Sequence, residues 1–334
     1  MTVLIIKGGE SVEHEVSLSS AENIKAALEA LGHEVKEIFI SKSGLFLYNG
    51  EPVSIDIERG FVAKGSAISF DVVFPIAHGH GGEDGKLQGL LELMHIPYAS
   101  EDSLTSQIGM HKHDQMILFS NAGIPTIPSI TVNSSGSEKS ILERLGSSLV
   151  VKPESGGSSV GVTILASATE ESLEKEIEST LALDENVIVQ RYIQPLRELD
   201  VGAIYSMRDE RLLLLGPIEI RTEKVFLDYQ AKYHDVKTVL DSNPDISRDI
   251  RERMLALAEK AFLAVHGSMY MRLDFFLSGD SVILNEINTI PGMTPQSHFP
   301  VLSREMGGME KVLPILLDNA ILRERRKRGI KHSI

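Results

Sequence analysis

The sequence predicts a mixed α/β and α+β protein built from three domains, and three observations favour this. Strands and a helix alternate near the N-terminus, short strands surround a charged helix in the middle, and long strands dominate the C-terminal part. A chain of 334 residues has the length of two or three domains. We place them at residues 1–102 (doubly wound α/β), 103–190 (small α+β) and 191–334 (larger α+β).

The composition excludes several classes of protein. The chain contains no cysteine, which excludes disulfides, thiolate metal sites and a cysteine nucleophile. Its 33 basic and 47 acidic residues give a formal net charge of −14, which argues against nucleic-acid binding. The apolar run from Val3 to Ile6 is too short for a signal peptide or a membrane span. We therefore expect a cytoplasmic protein without nucleic-acid or membrane partners.

The N-terminal domain is expected to contain a doubly wound parallel sheet. A β-branched strand over residues 2–7 ends at a glycine pair, and apolar residues recur at helical spacing over 17–31. Ser19 and Glu22 have the spacing of a capping box at the start of this helix. Strands over 34–40 and 71–77 follow, the latter apolar enough to be buried on both faces. Strand–helix–strand order implies parallel pairing.

The other two domains are expected to combine helices with antiparallel strands. The pattern predicts a helix over 104–121, strands near 149–152 and 160–165, a helix over 169–180 and a strand over 186–190. A further helix covers 247–265, and the basic tail over 321–334 is expected to be the solvated end of a helix. No long linker separates the domains, so we expect them to share clefts.

A β-hairpin with charged residues inside both strands is the strongest candidate for a functional site. If its connecting loop has an odd number of residues, Asp274 and Glu286 lie on the same face, whereas an even loop separates them. Arg272 and Asn288 alternate onto that face as well. Carboxylate and amide oxygens suit Mg²⁺, which shares its coordination shell with substrate phosphates. The alternative is a surface hairpin with alternating polar residues.

A loop of small residues follows the strand that ends at Lys152 and extends to Gly161. Small residues let backbone amides approach phosphate oxygens, and the lysine adds positive charge. The loop is not a Walker A motif, because no Gly-Lys-Ser/Thr enters a helix. The alternative interpretation is an ordinary turn.

Three further segments have the composition of binding loops. His78–Gly85 follows the third predicted strand, where α/β sheets bind ligands, and its glycines free backbone amides for an anion. His78 and His80 could be metal ligands, but no further ligand lies at metal spacing. Glu13–Ser17 suits a substrate carboxylate or ammonium at a helix N-terminus, or simply begins the helix. Phe226–Tyr233 mixes aromatic and charged residues, as in a lid or a surface loop.

Together these segments resemble the ATP-grasp superfamily and, within it, the D-alanine–D-alanine ligases. The similarity extends nearly end to end, and the motifs occur in the family's order. The motifs are Glu13–Ser17, His78–Gly89, Lys152-Pro153, Gly157–Gly161, Asp228-Tyr229, Ala231–Tyr233, Arg272–Phe276, Asn285–Thr289 and Pro291–Pro295.

The resemblance implies an ATP-grasp fold and an ATP-dependent carboxylate–amine ligase. In this family ATP phosphorylates the carboxylate of one D-alanine, and the amine of a second attacks the D-alanyl phosphate. The products are D-alanyl-D-alanine, ADP and phosphate, and the dipeptide enters peptidoglycan synthesis, which supports the cell wall and cell shape. The resemblance also implies a homodimer.

Individual roles follow from the same resemblance. Two Mg²⁺ ions, which Mn²⁺ could replace, would be held by Asp274, Glu286 and Asn288. The catalytic residues would be Glu13, Ser158, Tyr233, Arg272 and Gly292. D-Alanine would be bound by Glu13, Val16, Ser17, His78, Arg272, Gly292 and Ser297. ATP would be bound by Lys112, Lys152, Ser159, Gln190, Arg191, Tyr192, Ile193, Glu198, Phe226, Lys232, Phe276 and Asn285.

Departures from the family pattern leave the second substrate open. The family usually has glutamate at Gln190 and often aspartate at His111, and the lid after Tyr233 is shorter than usual. Leu227–Gln230 stands where Tyr-Asp-Tyr-Glu is expected. Tyr233 favours an amine nucleophile, because relatives that make D-alanyl-D-lactate typically have Phe or His there. The alternatives are a ligase with another acceptor (D-serine, D-lactate or a peptide) and an inactive nucleotide-binding homologue.

Overall fold

The computed structural model describes residues 1–194, 196–222 and 238–329, and the strands in these ranges form three sheets. In the first sheet lie β1 (Thr2–Gly8), β2 (Glu34–Ile40), β3 (Phe46–Tyr48), β4 (Glu51–Asp56), β5 (Gly60–Ala63), β6 (Ser66–Ala67) and β7 (Val72–Pro75). Their spatial order is β6-β5-β4-β3-β2-β1-β7.

Parallel pairing is confirmed for the buried strands of this sheet. β1 pairs in parallel with β2 on one side and with β7 on the other, and every residue of β7 is buried. The strands from β2 to β6 pair antiparallel, so the sheet as a whole is mixed. The sequence analysis missed β3–β6, because these strands are short and lack a sustained apolar pattern.

Helices cover both faces of the first sheet. They are α1 (His14–Ala30) and α2 (Lys86–Leu93). Residues of β1 alternate between a core shared with α1 and a core shared with α2, as expected of a doubly wound arrangement. The predicted capping box of Ser19 and Glu22 is wrong, because α1 already begins at His14. Ser17, in the first turn, instead donates to the carbonyl oxygen of Ile76 at 2.6 Å, so a tertiary contact fixes this end.

The second sheet is small and antiparallel. It consists of β8 (Ser129–Val132), β9 (Leu149–Pro153), β10 (Thr163–Leu165) and β11 (Val187–Arg191) in the order β10-β9-β11-β8. Helices α5 (Glu138–Leu145) and α6 (Glu170–Leu181) share a hydrophobic core with it. The predicted helix over 169–180 is confirmed as α6, with Thr169 as its N-cap, whereas β8 and α5 were not predicted. The predicted strand over 160–165 is confined to its last three residues.

The helix predicted over 104–121 is interrupted. The segment forms α3 (Ser103–Met110) and α4 (Lys112–Asn121), which meet at His111. The backbone of His111 has φ −92° and ψ 97°, an extended conformation that ends one helix and begins the next. Met116 and Phe119 of α4 are buried in the core of the third sheet rather than that of the second.

The third sheet is antiparallel and has the longest strands. It contains β12 (Arg197–Ser206), β13 (Arg211–Arg221), β14 (Val239–Asp241), β15 (Tyr270–Ser278) and β16 (Ser281–Asn288) in the order β14-β13-β12-β15-β16. The predicted helix over 247–265 is confirmed as α7 (Arg248–Ala264), which shares its core with α4. On the opposite side, α8 (His298–Ser303) and α9 (Met309–Gly329) share a core with the first domain.

The basic tail is not wholly solvated, contrary to the prediction. Arg323 of α9 is buried and donates to the carbonyl oxygens of Ser100 at 2.8 Å and Tyr98 at 2.7 Å. Its guanidinium carbon also lies 4.1 Å from the centre of the Tyr98 ring, so a cation–π contact adds to the anchor. Part of the tail therefore fastens the C-terminal helix to the first domain. Among the described helices, none is long and apolar enough to span a membrane.

Candidate active site

A cavity of about 770 Å³ lies between the second and third sheets. Its walls include β9, β10 and β11 on one side and β12, β13, β15 and β16 on the other. All of the described residues that the sequence analysis assigned to ATP line it. They are Lys112, Lys152, Ser159, Gln190, Arg191, Tyr192, Ile193, Glu198, Phe276 and Asn285.

A β-bulge determines the geometry of the predicted hairpin. The turn has two residues, an even number, which by parity would separate Asp274 from Glu286. The register shifts by one residue at Asn285, so Asp274 pairs directly with Glu286. Arg272 then pairs with Asn288, and all four polar side chains lie on one face. A local irregularity thus restores the arrangement that the odd-loop hypothesis predicted.

Arg272 lies at the centre of a charged network on this face. Its Nε lies 2.6 Å from Asp274 Oδ1, and its Nη2 lies 2.7 Å from Asp274 Oδ2. Nε also lies 3.1 Å from Asp200 Oδ2, to which Nδ1 of His298 donates at 2.6 Å. The amide of Asn288 donates to Asp274 at 3.0 Å. These bonds hold the guanidinium in a fixed orientation at the floor of the cavity.

Two nearly buried lysines place positive charge in the cavity. Lys112 is the first residue of α4, and its Nζ donates to the carbonyl oxygen of Gly156 and lies 3.8 Å from Glu286 Oε2. Lys152 ends the apolar part of β9 and lines the same cavity. An acidic chain thus concentrates cations at one point, as a polyphosphate ligand requires.

The loop of small residues folds along the cavity wall. Ser158 and Ser159 have φ values of 51° and 59°, so two consecutive residues adopt the left-handed conformation. Gly161 has φ 70°, and a Cβ there would lie 2.7 Å from Leu183 and 3.0 Å from Pro153. The sequence therefore needs a glycine at this position to keep the loop against β9.

Glu13 connects this loop to the first domain. The hydroxyl of Ser158 donates to the carboxylate of Glu13, which precedes α1. A Cβ on Gly157 would lie 3.2 Å from the same carboxylate, so the loop approaches it closely. Glu13 and Ser158, two of the predicted catalytic residues, are thus in direct contact. A third, Tyr233, lies outside the described residues, as do Phe226 and Lys232.

His78 is buried beside the hairpin's exit loop. Its Nδ1 lies 2.9 Å from the carbonyl oxygen of Ile290, and its Nε2 lies 3.2 Å from the hydroxyl of Ser20. Burial lowers the pKa of His78, which favours the neutral form of its ring. Both ring nitrogens of His78 have protein partners, so this ring is not available as a metal ligand. His80 is exposed, and its Nδ1 lies 3.8 Å from Asp84 Oδ2.

Glu83 was not singled out from the sequence, yet it joins two site loops. Its carboxylate accepts from the backbone N–H of Gly79 at 3.2 Å and from that of Ile290 at 3.0 Å. Burial raises the pKa of Glu83 to about 7, and the charge of Glu13 acts in the same direction. The motif His78–Gly85 alone did not indicate that its glutamate faces inwards.

The remaining predicted substrate residues differ in their environment. Ser17 is fully buried and its hydroxyl is used within the fold, and Val16 is buried next to it. Ser297 precedes α8, and its Oγ accepts from the backbone N–H of Thr294 at 3.1 Å. A Cβ on Gly292 would lie 2.9 Å from that Oγ, so the glycine allows the segment between β16 and α8 to fold back closely on itself.

Several polar residues of the third sheet line the cavity but were not predicted as site residues. Glu219 accepts from Arg197 at 2.6 and 2.9 Å and from Arg221 at 3.1 Å. The hydrogen bond from Arg197 lowers the pKa of Glu219. Asp200, on the neighbouring strand, is 3% exposed. The available signal was the alternation of charged residues with apolar ones in Arg197–Ile204, which places charges on one face of β12.

The donor set of the hairpin suits a hard divalent cation. Asp274, Glu286 and Asn288 offer two carboxylates and one amide oxygen on one face, next to the cavity. Within the described ranges, no cluster of three or more His, Asp or Glu side chains could hold a metal by itself. A cation here would therefore complete its shell with the amide, water and substrate oxygens.

Comparisons with known proteins agree with this geometry. Family models of the D-ala D-ala ligase N-terminus and C-terminus match residues 2–100 and 118–317. A D-alanine--D-alanine ligase of Bacillus licheniformis is 33% identical, over 98% of each chain. D-Alanyl-alanine synthetase A from Vibrio cholerae superposes with a TM-score of 0.87, at 27% identity, over 96% of this chain and 98% of that one. VanG D-Ala:D-Ser ligase from Enterococcus faecalis gives 0.83 at 29% identity, over 97% and 99%.

Proposed function

This chain belongs to the D-alanine–D-alanine ligase family of ATP-grasp proteins, and from that premise we propose that it joins two D-alanines with ATP. The reaction proceeds through D-alanyl phosphate and yields D-alanyl-D-alanine, ADP and phosphate. The observation that carries the proposal is the cavity itself, in which two buried lysines face a carboxylate hairpin. We further propose that the dipeptide serves peptidoglycan synthesis in the cytoplasm and that the enzyme is a homodimer.

The first step makes a poor electrophile reactive. A carboxylate resists attack by an amine, whereas an acyl phosphate does not. Phosphoryl transfer depends mostly on positioning and on neutralising charge. Lys112 and Lys152, which line the cavity, would contact the phosphates, and the loop Gly156–Gly161 would offer backbone amides. Gln190 and the following residues to Ile193, together with Glu198, would hold the adenine and ribose.

Two Mg²⁺ ions, replaceable by Mn²⁺, would be held by Asp274, Glu286 and Asn288. When bound, the metal supplies positive charge to the phosphate oxygens as the γ-phosphoryl group is transferred. Because Asp274 also pairs with Arg272, the hairpin couples metal binding to the orientation of the arginine.

The second step creates a tetrahedral oxyanion. Arg272, which lines the cavity, and the backbone N–H of Gly292, in the segment that follows β16, would stabilise it. Glu13 would hold the ammonium of the first D-alanine, and Ser297 the carboxylate of the second. The network around Asp200 keeps the guanidinium in place without rearrangement during the reaction.

The test is a phosphate-release assay with ATP and a panel of acceptors. Purified protein is supplied with D-alanine alone, and with D-alanine plus D-serine, D-lactate or a dipeptide, and products are identified by mass spectrometry. We expect D-alanyl-D-alanine with D-alanine alone, and loss of activity when EDTA removes divalent ions. Release only with another acceptor would refute the D-alanine specificity. No release with any amino acid would refute a ligase function altogether.

A further inference from the structure

We propose that Glu154 is a positioning residue that fastens the small-residue loop to the start of α4 and thereby sets the position of Lys112. The inference rests on the proposed function in one respect, namely that Lys112 binds nucleotide phosphate. Neither the motifs of the resemblance nor the roles drawn from it include Glu154.

The carboxylate of Glu154 bridges two separately packed parts of the chain. Glu154 directly follows β9 of the second sheet, and its backbone N–H donates to the carbonyl oxygen of Asn186 at 3.0 Å. Its side chain leaves this sheet and reaches the start of α4. α4 belongs to the core of the third sheet, where Met116 and Phe119 are buried. The contact therefore crosses the cleft between the two sheets that form the cavity.

At the start of α4, Glu154 supplies a helix cap that the local sequence lacks. His111 is the N-cap residue of α4, and its side chain makes no capping bond. Instead, Oε1 of Glu154 accepts from the backbone N–H of His113 at 3.0 Å, and Oε2 accepts from Nδ1 of His111 at 2.9 Å. A carboxylate at a helix N-terminus satisfies an otherwise unpaired N–H and interacts favourably with the helix dipole.

Lys112 lies between the two residues that Glu154 holds. Its backbone N–H approaches the carbonyl oxygen of Glu154 at 3.4 Å, and its Nζ donates to the carbonyl oxygen of Gly156. The same ammonium lies 3.8 Å from Glu286 of the hairpin. Main-chain and side-chain hydrogen bonds thus connect the small-residue loop to the start of α4. Lys112 extends from this connection towards the hairpin that carries Glu286.

Because the contact between Glu154 and the start of α4 is buried, loss of the Glu154 carboxylate should disturb it strongly. The side chain of Glu154 is 4% exposed and that of Lys112 is 10% exposed. Removing a buried acceptor leaves its donors unpaired, and bonds that involve a charged group are the stronger ones. Without the carboxylate, the loop and α4 lose their fixed spacing, and Lys112 loses the geometry that aims it at a phosphate.

Titration with ADP in the presence of Mg²⁺, followed by calorimetry, tests this without requiring ligase activity. We expect Glu154→Ala to raise the Kd for ADP by about tenfold, as loss of a buried charge-assisted bond would. Glu154→Gln should bind nearly as the wild type, because its amide oxygen can still accept from His113. The matched control is Glu138→Ala, a buried carboxylate that accepts from the nearby Gly136 N–H and is not among the described residues that line the cavity.

A double-mutant cycle decides whether Glu154 acts through Lys112. We expect Lys112→Met to weaken ADP binding and Glu154→Ala to add nothing in its presence. Additive losses, an unchanged Kd for Glu154→Ala, or an equal loss in the Glu138→Ala control would overturn the inference. If the double-mutant cycle gives the expected Kd values for ADP but the wild type makes no dipeptide, the proposed function alone is refuted. If the wild type does not bind ADP, both the inference and the proposed function are refuted.

Discussion

The buried carboxyl of Glu101 makes folding stability depend on pH in a predictable direction. Glu101 is fully buried just before α3 and accepts from Ser268 N at 2.8 Å, Ser268 Oγ at 3.1 Å and Met269 N at 2.9 Å. These bonds join the first domain to the start of β15. Burial outweighs them and raises the pKa of Glu101 to about 7, from an ordinary value of 4.5.

The magnitude follows from this difference in pKa. A carboxyl that is protonated more readily in the folded state stabilises the fold fully below its unfolded pKa, and the stabilisation is lost as pH rises through its folded pKa. A difference of about 2.5 units between 7 and 4.5 corresponds to about 3 kcal/mol. Between pH 5 and pH 8, the free energy of unfolding should therefore fall by roughly 2.5 kcal/mol on account of this one group.

The perturbation is Glu101→Gln, assayed by urea unfolding at several pH values between 5 and 8. The variant is expected to be less stable than the wild type at low pH, because its amide group meets N–H donors. Between pH 5 and pH 8, its free energy of unfolding should nevertheless fall by roughly 2.5 kcal/mol less than that of the wild type. Glu174→Gln, on the exposed face of α6, is the control and should follow the wild type. Parallel pH profiles for wild type and Glu101→Gln would refute the reasoning.

Three substitutions in the site have equally definite outcomes. Glu286→Gln should lower kcat/KM at least about hundredfold in a coupled ADP assay, because it removes a proposed metal ligand. Gly292→Ala should lower kcat about tenfold with little change in the KM for ATP, since its Cβ would lie 2.9 Å from Ser297 Oγ and displace the proposed oxyanion donor. Asp200→Asn should lower kcat more than it changes either KM, because Arg272 loses a carboxylate partner at 3.1 Å.

The same control serves all three substitutions. Glu174→Gln changes an exposed charge far from the cavity and should keep wild-type kinetics. Retention of normal turnover by Glu286→Gln would contradict the hairpin metal site. A rise in the KM for ATP as the main effect of Gly292→Ala would contradict its assignment to the second step, and an unchanged kcat in Asp200→Asn would contradict its support of Arg272.

Sequence patterns were sufficient where local chemistry decides the structure. The pattern predicts the strand Glu34–Ile40 to the residue and the starts of two helices at Thr169 and Ser247, because such strands and capped helices have short-range signatures. The grouping of Asp274 with Glu286 was recognised as a question of parity. The one-residue bulge that places both carboxylates on one face could not be predicted, because a β-bulge arises from how the two strands pack and leaves no mark in the sequence spacing.

Long-range contacts explain what sequence patterns missed. The break at His111 depends on Glu154, far away along the chain, which accepts from the start of α4. The sequence does not distinguish Arg323 from the other cations of the basic tail, because its contacts with Tyr98 are formed only in the folded chain. The inward orientation of Glu83 likewise depends on a loop that follows the last strand of the third sheet. None of these partners lies within helix or strand periodicity of the residue concerned.

The central claim is that this cavity activates the carboxylate of D-alanine as an acyl phosphate before the peptide bond forms. The most direct test supplies D-alanine labelled with ¹⁸O in its carboxylate, together with ATP, and analyses the products by mass spectrometry. We predict that each inorganic phosphate released with D-alanyl-D-alanine carries one ¹⁸O atom, because the labelled oxygen leaves with the phosphoryl group. Unlabelled phosphate alongside the dipeptide, or label recovered in AMP, would contradict the account.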